Sequence, residues 1–302
     1  MTTIDTTVPM APHATMHRAH LTAPRPSVTA THGIPGRAGR LVAQLGDRAR
    51  VHGACDETGA AVLADIADSD VNEVRAVLRL VFGLDGPVLD LAAGLGRMTV
   101  PLLALRREVT ALELSGDVLD RLVRRLQQAP APLRQRCTTV QADMADFAID
   151  RSYAAVVLGG ASVSLLDGVG RMGLYRSVRR HLAPGGRFLL STVDHGASTA
   201  LPPELGTEVV TPSGHAYRVY EYWQADAPTW TFTALRKDYG HGPVTVCTTT
   251  QRVLGAAQLQ VELERAGMVV VSRTQITEPG RRHPVVLIEA ALPDAVTGPA
   301  RL

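Results

Sequence analysis

The residues best suited to chemistry lie in Val88-Leu89-Asp90-Leu91-Ala92-Ala93-Gly94-Leu95-Gly96-Arg97, with Glu113 and Asp143 following at intervals. An apolar run containing an acid at its end predicts a buried parallel strand, and the glycines after it permit a tight turn into a helix. Without a Cβ, such a turn lets backbone N–H groups come close to a ligand. A second apolar run, Val109-Thr110-Ala111-Leu112, ends in Glu113. A carboxylate at that strand tip can accept hydrogen bonds from a ribose diol. Further on, Val140-Gln141-Ala142-Asp143-Met144 places a polar group beside an apolar shelf suited to an adenine ring. Together these residues describe a pocket for an adenosine-bearing cofactor.

Spacing separates the candidate cofactors. A dinucleotide fingerprint reads G-x-G-x-x-G directly after the first strand. Here Gly94, Gly96 and Thr99 give G-x-G-x-x-T, and Asp90 stands four residues before the first glycine. That arrangement resembles the first motif of class I S-adenosylmethionine-dependent methyltransferases, D/E-x-G-x-G-x-G, laid on Asp90, Ala92, Gly94 and Gly96. The one departure is Ala92, where the family has glycine. The resemblance extends over roughly residues 70 to 195. It makes Glu113, followed by Leu114, the ribose-binding acid, and Asp143-Met144 the adenine-contacting pair. Tyr153 to Gly159 matches the fourth strand, whose end at Leu158 lies beside the methyl donor, and His181 to Leu190 matches the turn into the fifth strand. The fold implied is α/β: a Rossmann-like, seven-stranded class I methyltransferase sheet. Arg97 has two readings. It pairs with the methionine carboxylate of the cofactor, or it is an exposed arginine turned to solvent.

These residues need elements to hold them. Alternating strands and helices from Val88 to Val193 predict a parallel sheet covered on both faces, and ligands of such sheets bind outside the carboxyl ends of the strands. Residues 1–35 lack periodicity and read as a disordered arm. Residues 36–84 read as a helical cap over the cofactor pocket, with helices near 37–50 and 57–82 and a break around Asp68-Ser69-Asp70. Residues 85–204 form the cofactor-binding core. In residues 205–253 the helical periodicity is lost, and short Val/Thr/aromatic runs predict a small antiparallel sheet inserted on the acceptor side. Its strands are read at Glu208–Val210, Ala216–Gln224, Thr229–Tyr239 and Val244–Val253. Residues 254–302 supply the last helix and the closing strands, Val269–Gln275 and Val285–Ala291.

Composition excludes several classes. At 45% hydrophobic and 20% charged the chain is globular, and no apolar run is long enough to span a membrane. A net charge of +2 makes no electrostatic case for nucleic acid. Lys237 is the sole lysine among 31 basic residues, and the arginines are scattered. Arg121, Arg124 and Arg125 read as the solvated face of one amphipathic helix. Cys55, Cys137 and Cys247 are too far apart for metal-ligand spacing and read as small buried hydrophobes, a count that suits a reducing cytoplasm. No metal is expected; a homodimer is allowed.

Seven of the twelve aromatic residues fall in the inserted sheet: Tyr217, Tyr220, Tyr222, Trp223, Trp230, Phe232 and Tyr239. Either they are the insert's own core, or Tyr220, Tyr222 and Trp223 wall an acceptor pocket, where methylated amines sit well against aromatic faces. Alternation puts Tyr220 and Tyr222 on one face and Trp223 on the other. Asp194 and His195 follow the fifth strand and are candidate bases or plain loop residues; Ser162 follows the fourth and could orient the acceptor. The stretch Val157 to Asp167 resembles natural-product methyltransferases, including amino-sugar N-methyltransferases, and the whole layout resembles the methyltransferases of daptide-type ribosomal peptide maturation. The latter likeness implies N,N-dimethylation of a primary amine at a peptide's C-terminus. The acceptor is thus a small molecule or a peptide. O-methylation of a hydroxylated metabolite, a cofactor-binding protein without turnover, and a nicotinamide dehydrogenase are the competing readings.

Overall fold

A computed structural model describes residues 17–18, 33–54, 56–194, 202–224, 227–237, 240–276 and 283–295. The expected N-terminal arm falls almost entirely outside the described residues, as do Cys55, His195 and Tyr239. A two-residue strand β1 (His17–Arg18) precedes helix α1 (Gly36–Leu45), strand β2 (Ala49–Gly53) and helices α2 (Glu57–Ala67) and α3 (Val71–Phe82). The alternating region follows as β3 (Val88–Leu91), α4 (Thr99–Ala104), β4 (Val109–Glu113), α5 (Gly116–Gln127), α6 (Ala131–Arg134), β5 (Cys137–Gln141), β6 (Tyr153–Leu158), α7 (Gly168–His181) and β7 (Leu182–Val193). Four strands come next, β8 (Glu204–Val210), β9 (Ala216–Tyr222), β10 (Thr229–Arg236) and β11 (Val244–Arg252), and then α8 (Ala256–Arg265), β12 (Val269–Ile276) and β13 (Val285–Ala291).

The larger sheet runs β1-β5-β4-β3-β6-β7-β13-β12, the expected seven strands plus β1 at the edge. Its strands are parallel as far as β7, while β13 and β12 close it antiparallel. Every residue of β3 and β6 is buried because helices cover both faces. Chain order reverses between β3 and β6, so a crevice opens at their carboxyl ends.

The second sheet corrects the expected division of the chain. It has five strands, β2-β11-β10-β9-β8, and β2 comes from the stretch expected to be wholly helical. Gly46, at φ +54, ends α1, and a short 3-10 turn redirects the chain into parallel pairing with β11. Two helices of the cap clasp this sheet. Ala38 of α1 packs with Tyr220, Leu235, Val244 and Val246 on one face, and Val62 of α2 packs with Tyr217, Val219, Ala234 and Cys247 on the other. Glu204 of β8 caps α1 by accepting hydrogen bonds from the N–H groups of Arg37 (2.8 Å) and Ala38 (3.2 Å). Thus α1, α2 and the inserted strands share a core, and only α3 packs on the larger sheet, through Val77 and Val81.

A polar seam joins α2 to the larger sheet's helices. Arg121 of α5 donates to the Glu57 carbonyl at 2.8 Å, and Arg125 donates to the Leu95 carbonyl at 2.8 Å and lies 3.9 Å from Asp68. These two arginines therefore tie the cap and the glycine turn to α5 from a face that remains solvated, as expected. Among the described residues no helix is long and apolar enough to cross a membrane.

Candidate active site

The turn after β3 is the centre of the site. Ala92, Gly94 and Gly96 all take left-handed backbone conformations, at φ +51, +56 and +88. Glycine adopts these at no steric cost, whereas alanine is strained by about 1–2 kcal/mol. The family's glycine at Ala92 is thus explained by backbone conformation, not by lack of room. Space matters at Gly94, where a Cβ would meet nothing nearer than the Ala92 carbonyl at 3.9 Å, so the turn's backbone faces an opening. Glu113, at the tip of β4, holds the turn in place. Its carboxylate accepts from the Gly94 N–H and the Ser115 N–H, each at 3.0 Å. Each oxygen has used one of its acceptor positions and keeps another for a ribose hydroxyl.

Asp90 is 2% exposed beneath the turn and accepts from the Thr99 hydroxyl at 2.5 Å. Burial pushes its carboxyl up to about 7, with the Thr99 hydrogen bond and the Arg97 charge pulling the other way. Leu114 is exposed beside Glu113, and Met144 is buried in the main core. Asp143 turns the chain at this level by accepting from the Ala145 N–H at 2.8 Å. Leu158 is fully buried, so β6 offers its backbone end to the crevice rather than that side chain.

Arg97 does not point to solvent. Its guanidinium donates to Glu73 of α3 at 2.5 Å, and the two side chains are 15% and 2% exposed. The second Glu73 oxygen accepts from the Gly160 N–H at 2.8 Å. Burial opposes the charge on Arg97, but the Glu73 carboxylate more than offsets it, and the guanidinium pKa is raised above its ordinary value. The remaining Arg97 amino group, Nη1, is buried with no hydrogen-bond partner among the described residues. A cation held with one hand empty suits a carboxylate ligand. Together with the open turn and the spare Glu113 lone pairs, this fits the amino-acid end and the ribose of S-adenosylmethionine.

The ends of β6 and β7 form the other side of the crevice. Ala161, at φ +54, donates its N–H to Ser191 of β7 at 3.1 Å and starts a 3-10 turn at Ser162. Asp194 follows β7, half-buried, its N–H bonded to the Pro284 carbonyl at 2.9 Å. Trp223 stacks edge-on against His283, ring centres 5.4 Å apart, which brings the end of β9 to this edge of the larger sheet.

Tyr220 and Tyr222, read as either the insert's own core or an acceptor wall, pack toward α1. Tyr220 is 9% exposed in the α1 cluster, and a Cβ on Gly36 would meet the Tyr222 ring at 2.9 Å. Both sit on the face turned toward α1, while α2 and its contacts to α5 occupy the other. Glu73 is the residue that sequence reasoning missed. Its only signal was an acid three positions after the helix-capping Asp70, which has a purely local explanation.

The family described as a methyltransferase domain matches residues 88–186. The crystal structure of the glycopeptide N-methyltransferase MtfA with S-adenosylhomocysteine is similar at 36% identity, covering 87% of this chain and 100% of that one, with a TM-score of 0.64. The chain belongs to the class I S-adenosylmethionine-dependent methyltransferases. The same relative bound to S-adenosylmethionine matches at 35% identity with a TM-score of 0.63, again over 87% of this chain and 100% of that one. The CcbJ methyltransferase of Streptomyces caelestis, at 20% identity over 77% of this chain and 98% of its own, shares the fold with a TM-score of 0.62. A search of the curated proteins finds no match. S-adenosylmethionine is therefore this methyltransferase's cofactor. Among the described residues no group of three His, Cys, Asp or Glu side chains could hold a metal ion.

Proposed function

We propose that this methyltransferase N-methylates a primary amine carried by a peptide, and does so twice to give the dimethylamine. The observation that carries the reading is the 36% identity, across nearly the whole of both chains, with a methyltransferase whose own acceptor is a glycopeptide and whose methylated atom is nitrogen. The sequence likeness to daptide-type enzymes supports the narrower choice of a C-terminal amine.

S-adenosylmethionine supplies an electrophilic methyl group attached to a sulfur that leaves as a neutral thioether. The protein's task is alignment and the exclusion of water. Arg97 would hold the cofactor's amino-acid end and Glu113 its ribose, while Ser162 and Asp194 follow β6 and β7 at the crevice. The attacking amine must be neutral, and the product ammonium sheds its proton before a second round. We assign to Asp194, half-buried at that edge, the role of holding the ammonium and taking the proton. Trp223 closes the acceptor side with an aromatic wall that suits a methylated cation.

The test is mass spectrometry of amine-bearing peptides incubated with the enzyme and S-adenosylmethionine, with fragmentation to locate the new methyl groups. Dimethylation at nitrogen supports the reading. Methyl groups found on oxygen, or turnover confined to non-peptide amines, would replace it.

A further inference from the structure

We propose that Glu73 is a positioning residue that aims Arg97 at the carboxylate of the cofactor's methionine moiety. The inference rests on the cofactor assignment above and adds a residue from outside the glycine motif. Glu73 lies in the first turn of α3, where its own N–H is taken by the capping Asp70 side chain at 3.3 Å. Its side chain is almost wholly buried, which no surface-capping glutamate requires. One oxygen fixes the Gly160 N–H at the end of β6, and the other fixes Nη2 of Arg97.

The geometry leaves no slack. A Cβ on Gly159 would lie 3.0 Å from Met98 Cε and 3.2 Å from both Arg97 Nη2 and Glu73 Oε1, so the bare backbone just past β6 packs directly on the ion pair. Arg97 is thereby clamped on one side, and its other amino group is buried and finds no partner among the described residues. A guanidinium fixed in this way presents a preorganised donor and loses little freedom when it binds.

The test compares two ligands that differ only at the amino-acid end. S-adenosylhomocysteine carries the carboxylate; 5′-deoxy-5′-methylthioadenosine keeps the nucleoside and the thioether but lacks it. Glu73→Gln keeps the shape but has a single acceptor oxygen, so either Gly160 or Arg97 then faces an NH2 group. By calorimetric titration, Glu73→Gln should weaken S-adenosylhomocysteine about tenfold to hundredfold, the worth of a charge-assisted hydrogen bond. Affinity for methylthioadenosine should change less than about threefold. Glu73→Asp keeps the charge but draws it back by one methylene, and should show the same selective loss if the glutamine variant does not fold. Equal weakening of both ligands would make Glu73 merely structural and overturn the proposal. So would a wild type that binds both ligands equally, which would leave the cofactor assignment standing. Failure of the wild type to bind either ligand would instead remove the cofactor assignment on which the proposal rests.

Discussion

Asp90 offers the sharpest test of how this site is built. Replacing it with asparagine keeps the side chain's size, and the amide carbonyl can still accept the Thr99 hydroxyl that now bonds the carboxylate at 2.5 Å. Only the ability to ionise is lost. Burial raises the wild-type carboxyl from 3.8 to about 7, so its ionised form is destabilised by on the order of 4 kcal/mol in the folded protein. Below the unfolded value the carboxyl is protonated in both states and contributes nothing to the pH dependence. Between the two values the unfolded chain ionises while the folded one keeps its proton. The folded state then binds more protons, and stability falls as pH rises until about pH 7. Asparagine has no such dependence. Urea unfolding of both proteins should therefore show Asp90→Asn gaining about 2–3 kcal/mol relative to wild type between pH 5 and pH 8. Taking the difference between the two proteins cancels every other titrating group. A gap that stays constant across that range would mean that Asp90 ionises as easily in the fold as in the unfolded chain, and the desolvation argument would fail.

Glu113→Ala should weaken S-adenosylhomocysteine binding by about 1.5–3 kcal/mol in calorimetric titration, since it removes a charged acceptor from the ribose position; unchanged affinity would take Glu113 out of the site. Ala92→Gly relieves a left-handed alanine but frees the unfolded chain, so thermal unfolding should show a net effect between neutral and about 1 kcal/mol of stabilisation. A loss of more than that would contradict the φ of +51. Tyr220→Ala and Trp223→Ala should each cost about 3–5 kcal/mol of stability, since the two rings are 9% and 8% exposed, and Trp223→Ala should in addition raise the KM for the acceptor with cofactor affinity intact. Loss of cofactor affinity in the Trp223 variant would place that residue in the fold rather than in the pocket.

The parallel core was legible because strands buried on both faces read as apolar runs, and Val88 to Leu91 and Tyr153 to Leu158 are of that kind. The inserted strands were legible from alternation and turns, and β9 to β11 begin where their sequences begin to alternate. Strand β2 was not. Ala49–Gly53 is short and half-exposed, and it is a strand only because β11, nearly 200 residues later, pairs with it. Local propensity carries no trace of such a partner. The same limit applies to the aromatics. Alternation grouped Tyr220 with Tyr222 and set Trp223 apart, but which face looks toward the larger sheet is decided by where α1 and α2 pack.

Glu73 was hidden for a different reason, and the difference bears on how the site works. Its local pattern had a sufficient local explanation, so nothing in the sequence asked for a tertiary one. The same edge of the sheet carries several other departures from local rules. Ala92 and Ala161 hold left-handed conformations, Asp90 is a buried carboxylate, and Arg97 keeps a buried donor with no partner among the described residues. Each is unfavourable alone, and strain of this kind persists only where the surroundings over-determine it. Here the surroundings can be named: Glu113 and Thr99 fix the turn, Ser191 fixes Ala161, and Glu73 fixes Arg97 and Gly160 together. All of these bonds converge on the carboxyl ends of β3, β4, β6 and β7. On the proposal made above for Arg97, cofactor binding supplies its missing partner, which links binding to local stability. S-adenosylhomocysteine should accordingly protect the amides of residues 92–97 and 159–162 from hydrogen exchange more than those of the second sheet. Uniform protection across both sheets would show that the edge holds no stored strain for the cofactor to relieve.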